Sequence, residues 1–566
     1  MQLLSGDQAI AQTRALVVEP GHMAGTQHLI VIEVDPQTRQ GGVPQVMAVA
    51  RAERAVLIDL QRTPGIGAAL FEQEPVAAYH AKELHRALMR LGETPPSRWA
   101  CARLIEQLLQ GGKTADLSLT AIAQRAGLSA VPHADAGFDA LVERAHSIAR
   151  LVQRQIDFIK RDGLSWVSRI EAQAIAPIAE MEHHGMSLDA QGWQGALERA
   201  QLERDALSNT ITAHFNTMGP DNIPTDLFGT STINLSNDAE LKQVLQGLGF
   251  AVANVRRQTL SQLPAPLGPQ LSRYRELDKL LTSYGKGFLE HVGTDGRLHP
   301  TFEQIGASTG RMACHRPNLQ AVVKDSEFRD CFACQPDRCL VIADYATCEL
   351  RILAEMSHDP VFEEAFARGE DLHARVAQTM FDKPVSKTQN ADLRQRAKAV
   401  NFGLVYGMGA AGLARAIGTD AVQAQALLQQ YFRTFPKIGT YLRQAAELGL
   451  RQGYAQTLTG RRLYLGNIDD PNSRGQAQRI AKNMPIQGTS ADMIKIALGR
   501  IRQALAPWPS ANIVNVVHDE MIVECACDDA QSVQTTVCQE MRAAGAEILR
   551  RTPVEVDSAI SRTWNK

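Results

Sequence analysis

Four side chains in "LRQRAKAVNFGLVYG" (393–407) recur at every fourth position: Arg394, Lys398, Phe402 and Tyr406. On a helix a four-residue step drifts only about 40°, so they form one slanted stripe of two cations and two aromatic rings. A core stripe would not begin with Arg and Lys, and a solvated one would not end with Phe and Tyr. Such a face suits a ligand that is both anionic and flat. Two acids elsewhere offer complementary chemistry. In "CLVIADYATCELRILAEMSHD" (339–359), Asp344 stands where a strand-like run, Leu340 to Ala343, gives way to helical spacing from Glu349 onward. In "NIVNVVHDEMIVEC" (512–525), two strand-like runs flank a tight bend at His518, Asp519 and Glu520. A lone Asp after a strand is more often a helix cap. Two carboxylates from separate segments are, however, what Mg²⁺ requires, because this hard ion is held by one or two carboxylates plus substrate phosphates. Two such ions about 3.5–4 Å apart can stabilise the attacking and leaving oxygens of a phosphoryl transfer.

These groups need elements to position them. The first ~160 residues alternate strand-like runs ("HLIVIEVD", "RAVLIDL") with helical ones ("ELHRALMRLG", "CARLIEQLLQ"), as a small α/β domain does. A helical region follows from about 140, with a glycine break at "HHGMSLD" and a long polar helix from Ala190 to Phe215. Ser236, ahead of Asp238, Ala239 and Glu240, reads as the cap of a further helix. "LSRYRELDKLLTSYGKGFLEHV" (271–292) reads as one more, and from about 296 the pattern is mixed α/β.

Lys and Arg total 59 against 61 Asp and Glu, a net charge of −2, so a polyanion would be held by local basic surfaces rather than a global field. The apolar runs fall far short of the ~20 residues needed to span a bilayer. "MQLLSGDQAIAQTR" lacks a basic segment followed by an apolar one, and the chain reads as cytoplasmic with no membrane partner. Nine cysteines, an odd and sparse number, fit reduced thiols better than a disulfide framework. Cys331, Cys334 and Cys339 lack the second pair that structural zinc needs and fit a turn entering a strand.

The motifs resemble those of family A DNA polymerases, the group containing bacterial DNA polymerase I and related phage enzymes. "DYATCELR" (344–351) is similar to that family's D-Y-S-Q-I-E-L-R palm motif. "RQRAKAVNFGLVYG" (394–407) resembles its fingers helix, and "VVHDE" (516–520) its H-D-E turn. "TGRMACHRPNLQ" (309–320), "DLH" (371–373), "TLTGRRLYL" (457–465) and "NMPIQGTSAD" (483–492) also match in the family's order. The resemblance covers about residues 170–566. It implies a multidomain α/β fold with right-hand polymerase architecture: a thumb over 166–295, a palm over 296–385 and 465–566, and fingers over 386–464. It also implies template-directed addition of dNTPs to a primer, by a monomer acting on primer–template DNA.

By the same resemblance, Asp344, Asp519 and the Tyr345 carbonyl hold two Mg²⁺ ions, with Mn²⁺ able to substitute. Arg394, Lys398 and His373 contact the triphosphate, and Lys398 protonates the leaving pyrophosphate. Phe402 meets the sugar, Glu349 blocks a ribose 2′-hydroxyl, and Tyr406 stacks near the template-binding position. Arg311, Gln320, Arg479, Asn483, Gln487 and His518 face the primer–template. The chain departs from the family at Ala346-Thr347-Cys348 and at Val516, where hydrogen-bonding groups are replaced.

Residues 1–165 resemble less closely an RNase H-like 3′–5′ exonuclease domain. That activity needs a D-x-E pair, but "VIEVDP" gives Glu33 and Asp35 in reversed order. "AYHAKELHRAL" (78–88) has no Asp, leaving Glu83 as the nearby substitute, and Ile148 stands where the last Asp would fall. The expectation is a domain that has lost its metals, the alternative being a residual exonuclease, and the length leaves no room for a 5′ nuclease domain. Rival readings are a single-subunit RNA polymerase, against which Glu349 argues, and a catalytically silent DNA-binding homologue, against which the intact Asp344, Asp519, Arg394 and Lys398 argue.

Overall fold

The computed structural model describes residues 3–18, 30–34, 45–51, 54–67, 75–129, 131–132, 137–218, 233–324, 327–405 and 407–565. Six strands, β1 (Leu3–Leu4), β2 (Ile30–Val34), β3 (Val46–Arg51), β4 (Arg54–Asp59), β5 (Val76–Ala78) and β6 (Trp99–Cys101), form one mixed sheet in the order β1-β4-β3-β2-β5-β6. Strand alternation sends Ile30, Ile32 and Val34 into one apolar core and Val31 into another on the opposite face. The first core includes Leu84 and Leu88 of α1 (Ala81–Arg90), the second Leu141, Ala145 and Ile148 of α2 (Phe138–Arg161).

Three helices carry the chain onward: α3 (Ser165–His184), α4 (Ala190–Met218) and, beyond the undescribed 219–232, α5 (Asp238–Gly247). α6 (Leu267–Tyr284) packs back along α4, where Ile211, Phe215, Leu241 and Leu271 share a core. Two sequence expectations change here. Asn237, not Ser236, caps α5, because its side-chain oxygen accepts the N–H groups of Ala239 (3.0 Å) and Glu240 (3.3 Å). Ser236 instead lies 3.1 Å from the Tyr274 hydroxyl. The single helix expected over 271–292 breaks at Gly285, where a Cβ would sit 2.6 Å from the Leu281 carbonyl.

The second sheet is antiparallel throughout. β7 (Arg338–Tyr345) lies at its centre, and α7 (Cys348–Ser357) leaves it after a two-residue turn. α8 (Leu372–Phe381), α9 (Ala391–Val405), α10 (Pro436–Gln452) and α11 (Pro471–Ala504) follow. The hairpin β8 (Asn512–Val517) and β9 (Glu520–Ala526), then α12 (Ala530–Ile548) and β10 (Val556–Ser561), complete the order β8-β9-β7-β10. Cys339 and Cys527 form a disulfide, contrary to the expectation of reduced thiols. They are 188 residues apart, and only the pairing of β7 with β9 brings them together, so sequence spacing carried no sign of it. Cys331 and Cys334 are free thiols beside the turn that enters β7, closed by Arg338 N–H to Gln335 O at 2.9 Å. Among the described residues no helix is long and apolar enough to cross a membrane.

A buried ionic quartet joins these layers. Arg461 reaches both Glu171 of α3 and Asp492 of α11 (2.6 Å), and Lys495 of α11 reaches Glu171 (2.6 Å). Burial opposes the charge on Glu171, yet Lys495 and Arg461 together hold its carboxyl below the usual range. Removing one partner leaves an uncompensated buried charge. Arg461→Met is therefore expected to cost about 3–5 kcal/mol of stability, read as a lower urea midpoint. An unchanged midpoint would show that the quartet does not hold α3 to α11.

Candidate active site

Strand pairing brings the two predicted acids together. Asp344 stands opposite Glu520 on β9 and Asp557 on β10, while Asp519 occupies the two-residue turn between β8 and β9. The Tyr345 N–H donates to the Asp519 carbonyl at 3.3 Å, and the Tyr345 hydroxyl to the Met541 carbonyl of α12 at 2.7 Å. His518 (φ +57°), next to Asp519, and Thr347 (φ +53°), three residues after Asp344, both take the left-handed conformation. Strain of this kind costs roughly 1–3 kcal/mol per residue and persists where the surroundings impose it.

Burial pushes the Asp519 carboxyl above its usual range, and Glu349 and Glu520 push it the same way against Arg311. A divalent cation would relieve that repulsion. Asp344, Asp519 and the Tyr345 carbonyl offer only oxygen donors, which fits Mg²⁺. Among the described residues no cluster of three His, Cys, Asp or Glu side chains converges. Glu520, the first residue of β9, has other work. It is buried against Arg329 (3.3 Å) and accepts from the Trp564 indole (2.8 Å).

Around the acids, Arg311 is ion-paired with the buried Glu349. Gln320 donates to the Val516 carbonyl at 3.2 Å. Burial, reinforced by Arg311, pushes His518 below its usual range against Asp344 and Glu520. Arg351 ties down the turn after β7 by donating to the Ala346 carbonyl (2.8 Å) and to Glu555 (2.7 Å). The Cys348 thiol lies 3.4 Å from the Ser490 hydroxyl and is pushed up to about 12 by burial, which keeps it inert.

The cation–aromatic stripe lies on α9. Arg394 is held by Asp371 at 2.8 Å, and Asp371 also caps α8 by accepting the His373 (3.0 Å) and Ala374 (3.2 Å) N–H groups. The His373 ring packs 5.6 Å from that of Phe402, over which Lys398 lies at 5.9 Å. Asn401 contacts His373 Nδ1 at 3.1 Å and accepts from the Tyr431 hydroxyl at 3.0 Å. Burial pushes His373 down to about 4, with Arg394 and Lys398 adding and Asp371 opposing, so the ring is neutral near pH 7.

Tyr406 lies outside the described residues. α9 ends at Val405, Gly407 takes φ +63° and Gly409 caps the following helix, so neither glycine belongs to α9. A Cβ on Gly407 would sit 2.6 Å from the Asn483 amide, and this close approach requires the glycine. Arg479, Asn483 and Gln487 recur every fourth residue on α11, the first exposed and the others half-buried. Asp371 and Asn401 were missed in the sequence. Asp371 had a legible signal, an Asp just ahead of a helix; Asn401 had none.

The N-terminal sheet presents a different site. Glu33 shares the Val31 face of β2, where Arg144 of α2 lies 3.8 Å away with both side chains buried. Glu83 is flanked by Lys82 (3.5 Å) and Arg86 (3.7 Å). Burial raises the Glu83 carboxyl, but these two cations outweigh it and leave it lowered. The cavity between Glu33 and Glu83 measures about 20 Å³, room for roughly one water. Asp35 lies outside the described residues.

Residues 188–566 match the model of DNA polymerase family A. The chain is 29% identical over 451 residues to DNA polymerase I of Lactococcus lactis subsp. cremoris, covering 77% of this chain and 50% of that protein. It is 31% identical over 437 residues to the thermostable DNA polymerase I of Thermus filiformis, covering 75% and 51% respectively. The chain thus spans about half the length of these relatives. Its fold is similar to that of the POL domain of Pol1 from M. smegmatis, solved in complex with DNA primer-template and dNTP. The TM-score is 0.82 at 27% identity, with 99% of each chain covered. The fold is therefore that of a family A polymerase domain, and the chain belongs to DNA polymerase family A.

Proposed function

We propose that this chain is a template-directed DNA polymerase that adds dNTPs to a primer 3′-hydroxyl. The observation that carries the proposal is the meeting of Asp344 and Asp519 across two paired strands, in a chain whose α9 presents Arg394, Lys398 and Phe402 beside His373. The similar mycobacterial domain was solved with primer-template and dNTP, which supports the same ligands here. Asp344 and Asp519, with the Tyr345 carbonyl, would hold two Mg²⁺ ions. When bound, these supply charge stabilisation to an in-line phosphoryl transfer.

The chain's own groups then bind and orient. Arg394 exchanges Asp371 for the triphosphate, and a neutral His373 adds a hydrogen bond rather than a charge. Lys398 provides the proton for the leaving pyrophosphate. Phe402 lies against the sugar, Tyr406 stacks near the template-binding position, and Glu349 blocks a 2′-hydroxyl. Arg311, Gln320, Arg479, Asn483, Gln487 and His518 contact the primer–template. Minor-groove acceptors are common to all correct pairs, so such contacts sense pair shape rather than sequence. Residues 166–295 would serve as thumb, 296–385 and 465–566 as palm, and 386–464 as fingers. In residues 1–165 Arg144 neutralises Glu33, and this domain braces the polymerase without hydrolysing DNA.

Asp344→Asn or Asp519→Asn is expected to slow primer extension by at least about 100-fold, ~2.7 kcal/mol of barrier. Primer–template binding should survive, because it rests mainly on phosphate contacts by Lys and Arg. Near-normal extension by either variant would remove the metal assignment. Glu349→Ala should raise ribonucleotide use about tenfold, ~1.4 kcal/mol of discrimination, in competition between dNTP and rNTP. An unchanged ratio would place the sugar gate elsewhere. A mismatched primer should stay full length in Mg²⁺ or Mn²⁺ without dNTPs. Metal-dependent shortening that disappears in a Glu33→Ala, Asp35→Ala double variant would restore a working exonuclease.

A further inference from the structure

Arg311, the partner of Glu349, is the last residue of a tight turn. Its carbonyl accepts the N–H groups of Gly306 (3.0 Å) and Ala307 (3.0 Å), and the Gly310 N–H donates to the Ala307 carbonyl (2.9 Å). Gly310 takes φ +91°, and a Cβ there would sit 2.6 Å from the Arg461 guanidinium. The turn is thus pressed against the buried ionic quartet. From that quartet Lys495, with a side chain 1% exposed, donates to the Gly310 carbonyl at 2.8 Å and to Glu171 at 2.6 Å. The Gly310 C=O and the Arg311 N–H belong to one planar peptide, so anchoring the first fixes the direction in which Arg311 leaves the turn.

We infer that Lys495 is a positioning residue for sugar selection: by pinning the Gly310 carbonyl it aims Arg311, and Arg311 holds Glu349 in place. The inference rests on the polymerase reading and on Glu349 as its sugar gate. Neutralising Glu171 asks only that an ammonium be near, whereas the bond to Gly310 reaches the site. The charged groups facing Lys495 are Glu171 from α3, Arg461 from the turn at 457–461, and Asp492 from its own helix. Burial pushes Lys495 down to about 8, with Arg461 adding to the shift and Glu171 and Asp492 opposing it. Above that pH a neutral amine donates more weakly, since a charge-assisted bond is roughly twice as strong as a neutral one. The charged form is disfavoured on folding, so between about 8 and the unfolded value the Lys495 contribution to stability rises with pH. A loss of selectivity over the same window cannot then be ascribed to destabilisation through Lys495.

The test is the ratio of kcat/KM for dNTP to that for rNTP, followed in Mg²⁺ from pH 7 to 9.5. Ionisation of the primer 3′-hydroxyl affects both nucleotides equally and cancels in the ratio. The wild-type ratio is expected to fall about fivefold or more as pH rises. A Lys495→Met, Glu171→Gln double variant retains the Arg461–Asp492 pair and loses one charge of each sign. It is expected to show the low ratio already at pH 7 and no further fall, with its primer–template Kd within about twofold of wild type. A flat wild-type profile, or a folded double variant with the wild-type ratio, overturns the inference. If the double variant does not fold, the wild-type profile decides alone. Should wild type extend no primer at pH 7, the polymerase reading itself fails. Should it extend while Glu349→Ala leaves the ratio unchanged, the gate lies elsewhere and the inference falls with it.

Discussion

Carboxylates crowded at one end of a sheet repel each other, and in a low-dielectric setting they repel strongly. The structure is organised around that repulsion. Asp344 and Asp519 are brought together by β7 pairing with the β8–β9 hairpin, and Glu349 and Glu520 stand near enough to raise Asp519 further. Two neighbouring acids are each given a cation: Arg311 for Glu349, and Arg329 for Glu520. On the proposed function, Asp344 and Asp519 are the pair of carboxylates that a divalent ion would hold together.

The same economy of charge appears on α9. Arg394 is bound to Asp371, and His373 is kept neutral by burial and by two adjacent cations. On the proposed function, a triphosphate would meet one guanidinium already directed by a carboxylate, one exposed ammonium, and a ring that adds no charge. On the proposed function, Asp371 is a placeholder for the nucleotide. Its second task, capping α8, keeps it fixed whether or not Arg394 remains with it.

Much of this centre was legible in the chain because its signals are periodic and local. The fourfold spacing of Arg394, Lys398 and Phe402 belongs to one helix, and the runs around Asp344 and His518 set strand and turn without any tertiary knowledge. What stayed hidden depends on distant pairing. The Cys339–Cys527 disulfide needs the register of β7 with β9, and the role of Lys495 needs a turn nearly two hundred residues earlier in the chain. In "ADMIKIAL" Lys495 looks like a charge misplaced among apolar neighbours. Local rules also fell short where two residues compete for one task, as Ser236 and Asn237 do at the start of α5.

The N-terminal sheet shows what happens when such a centre is compensated from within. Glu33 sits on a central strand facing α2, where an ion could in principle reside, but a guanidinium from Arg144 approaches the carboxylate instead. A side-chain cation is tethered by its own helix, is always protonated, and cannot exchange its ligands for a substrate's phosphates as a metal ion does. On the proposed function, Arg144 answers the charge of Glu33 and no metal-dependent hydrolysis takes place there. The sheet remains worth keeping, because its two apolar cores continue into α3. That helix also delivers Glu171 to the quartet beneath Gly310 and Arg311. The domain thus reaches Gly310 and Arg311 through its packing onto α3 and the one buried charge that α3 carries.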